Sequence, residues 1–325
     1  MKYYDVMGDR QRWRSLNILI GARRIGKTFS ILNYLADVSG LFIYMRNTQK
    51  QIDICTSAAG NPFKKFNSIK GRNIYFRRGK DISYIYEEKD GEAQLRGYAV
   101  ALSTFFNLRG VSLSEVTDVF FDEFIEKRTL TFRQFETFID FYDTVNDNRE
   151  LEGAEPLRIF MASNAQRLYS PILVGLNLVT VIESMIQTGQ RNYSTKKIWL
   201  SFPKSEVTKA RKDIGLYSEI EGTNYAREAL ENEFANDSFA GVKKRNLNEF
   251  TGLAKIDDIY IYKHKSDGTL YACSVPCTGV PFYDTMVNRL LLLDGLYPQI
   301  AKLYANNKMF FSDYMVKIKL IDKIV

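Results

Sequence analysis

The sequence predicts an α/β fold with a central, mostly parallel sheet. Three observations carry that expectation. Apolar runs at Leu16–Ile20, Leu41–Met45, Val116–Phe121 (broken only by Thr117 and Asp118) and Leu157–Ala162 suit strands buried on both faces. Helical spacing fills intervals between them. A glycine-rich turn, Gly21 to Thr28, joins the first run to the first helix. After that turn Phe29, Leu32, Leu35 and Ala36 recur at helical spacing as far as Ser39, and Gly40 is a stop signal. Asn73–Arg78 and Ile82–Glu87 read as an antiparallel pair around the turn Gly79-Lys80-Asp81, with a further strand at Gly97–Leu102. Val116–Phe121 runs into Asp122-Glu123. A helix is expected from about Thr131 to Thr144, then a polar loop from Asn146 to Pro156, and Leu157–Ala162 ends at Ser163-Asn164.

Past residue 195 the pattern changes. Lys204–Glu233 is charged and helix-permissive and reads as a helical linker or lid. Ile256–Ser274 reads as a hairpin around Ser266-Asp267-Gly268, and the tail from Val280 to Val325 as mostly helical. The expected division is 1–195 for the α/β domain, 196–234 for the linker and 235–325 for a small α+β domain.

The chain has 325 residues, enough for one large or two ordinary domains. No stretch approaches the roughly 18 apolar residues of a membrane helix, and the N-terminus turns charged too early for a secretory signal, so neither a membrane partner nor export is expected. Three cysteines, Cys55, Cys273 and Cys277, cannot form a disulfide framework and suggest a reducing compartment. The pair in CSVPC has no second pair, and the single histidine, His264, reads as a surface residue; metal and His-dependent nucleophile schemes are disfavoured. The net charge of +7 is uneven: residues 1–110 carry 19 basic and 9 acidic side chains, residues 111–200 carry 9 and 13. Lys64, Lys65, Lys70, Arg72, Arg77, Arg78 and Lys80 form a strip interleaved with aromatics, which suits either phosphate-backbone attraction or a solvated hairpin face.

Gly21-Ala22-Arg23-Arg24-Ile25-Gly26-Lys27-Thr28 matches the P-loop pattern G-x-x-x-x-G-K-[ST]. Glycines let backbone N–H groups curl around phosphate oxygens, Lys27 neutralises the β and γ phosphates, and Thr28 offers a hydroxyl to Mg²⁺. ATP and Mg²⁺ are the implied cofactors. Asp122, ending an apolar run, is placed to hold Mg²⁺ through water, and Glu123 to accept a proton from the attacking water. A glutamate beside the metal aspartate, on a strand separated from the P-loop strand, marks the ASCE-type P-loop ATPases that work on polymers. Asn164 is a candidate sensor of the γ-phosphate. Arg23 and Arg24 are candidates for transition-state charge stabilisation in cis; Arg149 reads either as a finger reaching a neighbouring subunit's nucleotide or as a surface ion-pair residue.

GARRIGKT, YMRNTQK, VFFDEF, DTVNDNRE and FMASNA, in this order and spacing, resemble the phi29-like phage DNA-packaging ATPases, or encapsidation proteins. Weaker similarity continues through NYAREALENEF and IYIYKHKSDGTLYA. The resemblance implies a homomeric ring, expected to be a pentamer. It would dock on the portal vertex of a procapsid in the cytoplasm of the infected bacterial host and translocate double-stranded DNA by ATP hydrolysis. A structural RNA is a candidate further partner. The second domain is expected to be RNase H-like, a vestigial nuclease contacting nucleic acid, although Asp257, Asp258, Asp267 and Asp284 are available. The family's Walker A arginine falls on Arg23 and its trans-acting finger on the loop where only Arg149 keeps a guanidinium. Competing readings are a helicase, a large terminase with an active nuclease, and a nucleotide-gated assembly factor.

Overall fold

The computed structural model describes residues 2–80, 82–108, 113–126, 133–165, 168, 170–212, 215–220, 223 and 239–324. Two compact units divide the chain: Met1–Leu176 with Met185–Asp237, and Asn177–Ser184 with Ser238–Val325.

The first unit is built on a nine-stranded sheet. In chain order its elements are β1 (Leu16–Ile20), α1 (Lys27–Leu35), β2 (Leu41–Arg46), α2 (Gln49–Cys55), α3 (Lys64–Lys70), β3 (Ile74–Arg77), β4 (Ser83–Lys89) and β5 (Glu92–Ala101). β6 (Val116–Asp122), α4 (Gln134–Asn146), β7 (Arg158–Ser163), β8 (Asn192–Ser194) and β9 (Ile198–Ser201) follow. The strand order is β3-β4-β5-β2-β6-β7-β1-β9-β8. Six neighbours from β5 to β9 run parallel, and an antiparallel partner closes each side, β4 against β5 and β8 against β9. β7 therefore lies between β1 and β6, as expected of an ASCE-type sheet. The four runs read as buried strands are so: Ile18, Ile43, Phe120 and Phe160 are all at 0% exposure.

α1 ends at Leu35, short of the Ser39 that spacing alone suggests. The Ala36 carbonyl accepts Arg72 Nη2 at 2.8 Å and Arg96 Nη2 at 3.0 Å, so two cations occupy the negative end of the helix dipole. Arg72 also forks onto Glu87 and bonds Asp37. The basic strip is thus not one solvated hairpin face. Lys64–Lys70 is a helix anchored by the buried Phe63 and Phe66, Arg72 is committed to ion pairs, and Arg78 pairs with Asp53. Burying each of those phenylalanines contributes roughly 1.5–3 kcal/mol.

β9 pairs with β1 in parallel, so the main sheet continues beyond residue 195. Of the expected linker, Glu206–Lys212 is helical, and NYAREALENEF lies outside the described residues.

The second unit has five strands, β10 (Phe250–Ile256), β11 (Ile259–His264), β12 (Leu270–Cys273), β13 (Phe282–Tyr283) and β14 (Met309–Phe311), in the order β13-β10-β11-β12-β14. β10, β11 and β12 form an antiparallel meander in which β11 and β12 flank the turn at 266–268; β13 and β14 add parallel edges. The tail carries the helices Tyr297–Ala305 and Tyr314–Ile324 but also these two short strands. Ile256, Ile261, Ala272, Ile300, Phe311 and Leu320 form its core. The four aspartates have local partners. Asp257 accepts Thr285 Oγ1 at 2.7 Å and pairs with Lys323; Asp258 pairs with Lys319 at 2.6 Å; Asp267 accepts Thr269 N at 2.9 Å; Asp284 accepts Met286 N at 2.8 Å. Among the described residues no group of three or more His, Cys, Asp or Glu is placed to hold a metal ion.

Candidate active site

The C-terminal ends of β1, β6 and β7 meet at a cavity of about 600 Å³ in the first unit. Its lining joins Arg23, Arg24, Ile25, Gly26, Lys27 and Thr28 of the turn to Asp122 and Glu123 at the end of β6 and to Ser163 and Asn164 at the end of β7. The parallel topology causes this, because every such strand delivers its following loop to the same edge.

The turn needs its glycines. Gly26 has φ +107°, a conformation L side chains rarely adopt, and it caps α1. A Cβ at Gly21 would come within 2.9 Å of Ile25 Cδ1, 3.0 Å of Pro203 Cγ and 3.2 Å of Lys27 Cδ, crowding the turn and its lysine. Lys27 folds back over the turn. Its Nζ donates to the Gly21 carbonyl at 2.6 Å, the Ala22 carbonyl at 2.8 Å and Asn164 Oδ1 at 3.4 Å. Burial lowers its pKa to about 7 against the pull of Asp122 and Glu123.

Thr28 Oγ1 donates to Asp122 Oδ1 at 3.1 Å, which puts the two expected metal-binding groups side by side. Asp122 is buried and also accepts Tyr44 OH at 3.0 Å and Arg46 Nη1 at 3.3 Å. Burial raises its pKa, with Arg46 opposing. Glu123 takes φ +52°, a left-handed turn that costs a non-glycine residue about 1–2 kcal/mol. The turn swings its carboxylate toward the open side, where Arg46 Nη2 donates to it at 2.6 Å. Burial opposes the charge on Arg46, but Tyr44, Asp122 and Glu123 outweigh it and raise the guanidinium's pKa. Arg46 thus bridges both acids from the end of β2.

The donor set fits a magnesium triphosphate. It offers a hydroxyl beside a carboxylate, an ammonium resting on the neutral oxygens of Gly21, Ala22 and Asn164, the amino end of α1, and Ser163 Oγ, buried and without a hydrogen-bond partner among the described residues. At the mouth, Tyr3, Phe29, Lys65 and Ile69 supply apolar and aromatic surface, with Lys65 Nζ 5.5 Å from the Tyr3 ring centroid.

Arg149 is not brought to this cavity. Its Nη2 donates to the Ser114 carbonyl at 2.6 Å, just before β6 begins, so it sits at the edge opposite Asp122. The seven residues of β6 span about 20 Å at roughly 3.3 Å per residue. Arg46, Tyr44, Tyr3 and Lys65 were not singled out as site residues from the sequence. Arg46 left a signal there, an arginine closing a buried apolar run, and Lys65 one only as part of the basic strip.

A family model described as Podovirus DNA encapsidation protein (Gp16) matches residues 2–260. The DNA packaging protein of Bacillus phage B103 is 28% identical over 251 residues, covering 72% of this chain and 69% of that protein. A chain of the bacteriophage Phi-29 viral genome packaging motor assembly has the same fold, with a TM-score of 0.67 at 20% identity over 99% of both chains. The Phi-28 gp11 DNA packaging motor matches with a TM-score of 0.59 at 15% identity, covering 99% of this chain and 97% of that one. With a match over most of its length, a range that includes the turn, strands and acids that build the cavity, this chain belongs to the podovirus DNA encapsidation protein (Gp16) family.

Proposed function

We propose that this chain hydrolyses ATP to drive double-stranded DNA into a phage procapsid, working as one subunit of a homomeric ring. The observation that carries the reading is the convergence of Lys27, Thr28, Asp122, Glu123 and Asn164 on one cavity. Lys27 exchanges the Gly21 and Ala22 carbonyls for β- and γ-phosphate oxygens. Thr28 and Asp122, already side by side, would hold Mg²⁺, which when bound would neutralise charge on those phosphates. Glu123 leaves Arg46 to accept the proton of the attacking water, and Arg46 stays on Asp122. Asn164, already bonded to Lys27 Nζ, registers the loss of the γ-phosphate. Arg23 acts in cis on the developing charge.

Arg149 cannot serve its own subunit's cavity from the far edge of the sheet, which favours its acting on a neighbour's nucleotide. A ring, read here as a pentamer docked on the portal vertex, supplies that neighbour; the second unit contacts nucleic acid, and a structural RNA is a further partner. The setting is the cytoplasm of the infected host. No described helix is long and apolar enough to cross a membrane.

The test is ATP turnover with and without duplex DNA and procapsids, on mixtures of two inactive variants. Duplex DNA is expected to stimulate turnover, and the stimulation to weaken as salt rises. Lys27→Ala mixed with Arg149→Ala is expected to recover part of the lost turnover, because some interfaces pair an intact P-loop with an intact finger. Unwinding of forked DNA without duplex stimulation would favour a helicase, and no recovery at any mixing ratio would reject the trans finger.

A further inference from the structure

We infer that Gln134 is a positioning residue for Glu123, acting through Asn47; the inference rests on reading Glu123 as the proton acceptor. Asn47 follows β2 and is at 0% exposure, and Gln134 opens α4 at 2%. Asn47 Nδ2 donates to the Glu123 carbonyl at 3.0 Å and to Glu126 Oε1 at 3.1 Å, with the Phe124 carbonyl at 3.4 Å. Gln134 Nε2 donates to Asn47 Oδ1 at 2.6 Å and to the Phe124 carbonyl at 2.9 Å. Acceptors around one amide nitrogen and a donor on its oxygen leave the Asn47 amide a single orientation.

The consequence falls on the backbone of Glu123. Its N–H donates to the Ala162 carbonyl of β7 at 2.7 Å, and its carbonyl is held by Asn47, so the left-handed turn is pinned from two sides. That turn aims the carboxylate. Gln134 in turn is fixed by α4, whose Phe138 packs on Phe121 with ring centroids 6.3 Å apart, next to Asp122. Gln51 Nε2 completes the network on Glu126 Oε1 at 2.8 Å. Neither Asn47 nor Gln134 lines the cavity, and the contact that joins them to its chemistry is the one on the Glu123 carbonyl. Without the Gln134 donors, the buried Asn47 oxygen loses its partner and the amide can rotate off the Glu123 carbonyl.

The test uses the full chain as Gln134→Glu, which keeps the shape but replaces the donor with an oxygen, and as Gln134→Met, which keeps the volume without donors. Each is made with Glu123 intact and with Glu123→Gln, and kcat and KM for Mg·ATP are measured beside thermal midpoints. With Glu123 intact, kcat is expected to fall about 10- to 100-fold with KM within about twofold. In the Glu123→Gln background the same change is expected to cost nothing further. Equal proportional losses in both backgrounds, or unchanged kcat in whichever variant folds, would overturn the inference. Full turnover by Glu123→Gln alone would instead remove Glu123 as the base, leaving Gln134 nothing to position.

Discussion

Replacing Glu123 with Gln is expected to lower ATP turnover by roughly 10³-fold while nucleotide affinity stays within a few-fold of the parent chain. The carboxylate is the proton acceptor in the reading above, and an amide of the same shape cannot take the proton. Binding survives because the phosphate contacts belong to other groups: Lys27 on the turn, and Thr28 beside Asp122. The substitution also breaks the ion pair with Arg46, whose second arm remains on Asp122 at 3.3 Å, so the buried acid keeps its counter-charge. Rapid-quench hydrolysis beside equilibrium binding of a fluorescent nucleotide separates the two effects. Turnover at the parent rate would reject Glu123 as the base.

Lys27→Ala is expected to lose turnover and, unlike Glu123→Gln, binding as well, weakening Mg·ATP by roughly 10- to 100-fold through loss of charged hydrogen bonds. The same lysine gives a pH signature. Burial lowers its pKa to about 7 in the chain as described. A triphosphate beside it stabilises the charged form and raises that value, so binding takes up a proton above pH 7 and none below. Affinity is therefore highest below pH 7 and falls as pH rises, by up to about tenfold per unit, until the bound-state pKa is reached. Titration calorimetry in buffers of different ionisation enthalpy measures the uptake. Lys27→Ala should abolish it, and an unchanged uptake in that variant would assign the proton to another group.

How much of this was legible in the sequence depended on how local the signal was. The turn from Gly21 to Thr28 is contiguous, and its chemistry follows from residue type and spacing. Asp122 ends one apolar run and Asn164 follows another by two residues, so their placement at strand ends was readable too. The role of Arg46 was not, because it depends on β2 lying beside β6, and strand adjacency leaves no mark in either strand. Asn47 and Gln134 were silent for the same reason: 87 residues separate them, and a lone buried amide looks like any polar residue. The strip from Lys64 to Lys80 is not the single hairpin face that composition allowed. Charges counted along the chain do not reveal that Arg72 reaches back to cap α1. β9, which lies between β1 and the edge strand β8, is only four residues long, too short for periodicity to separate it from the charged segment that follows.

The central claim is that one triphosphate is gripped by the lysine of the turn and served by the acids after β6. A structure of the chain with Mg²⁺ and a non-hydrolysable ATP analogue tests it most directly. The account predicts Lys27 Nζ on the γ-phosphate, the metal bound by Thr28 with Asp122 behind a water, and the Glu123 carboxylate released from Arg46 and facing the γ-phosphate. A nucleotide seated elsewhere, or one whose γ-phosphate lies out of reach of both Lys27 and Glu123, would contradict it.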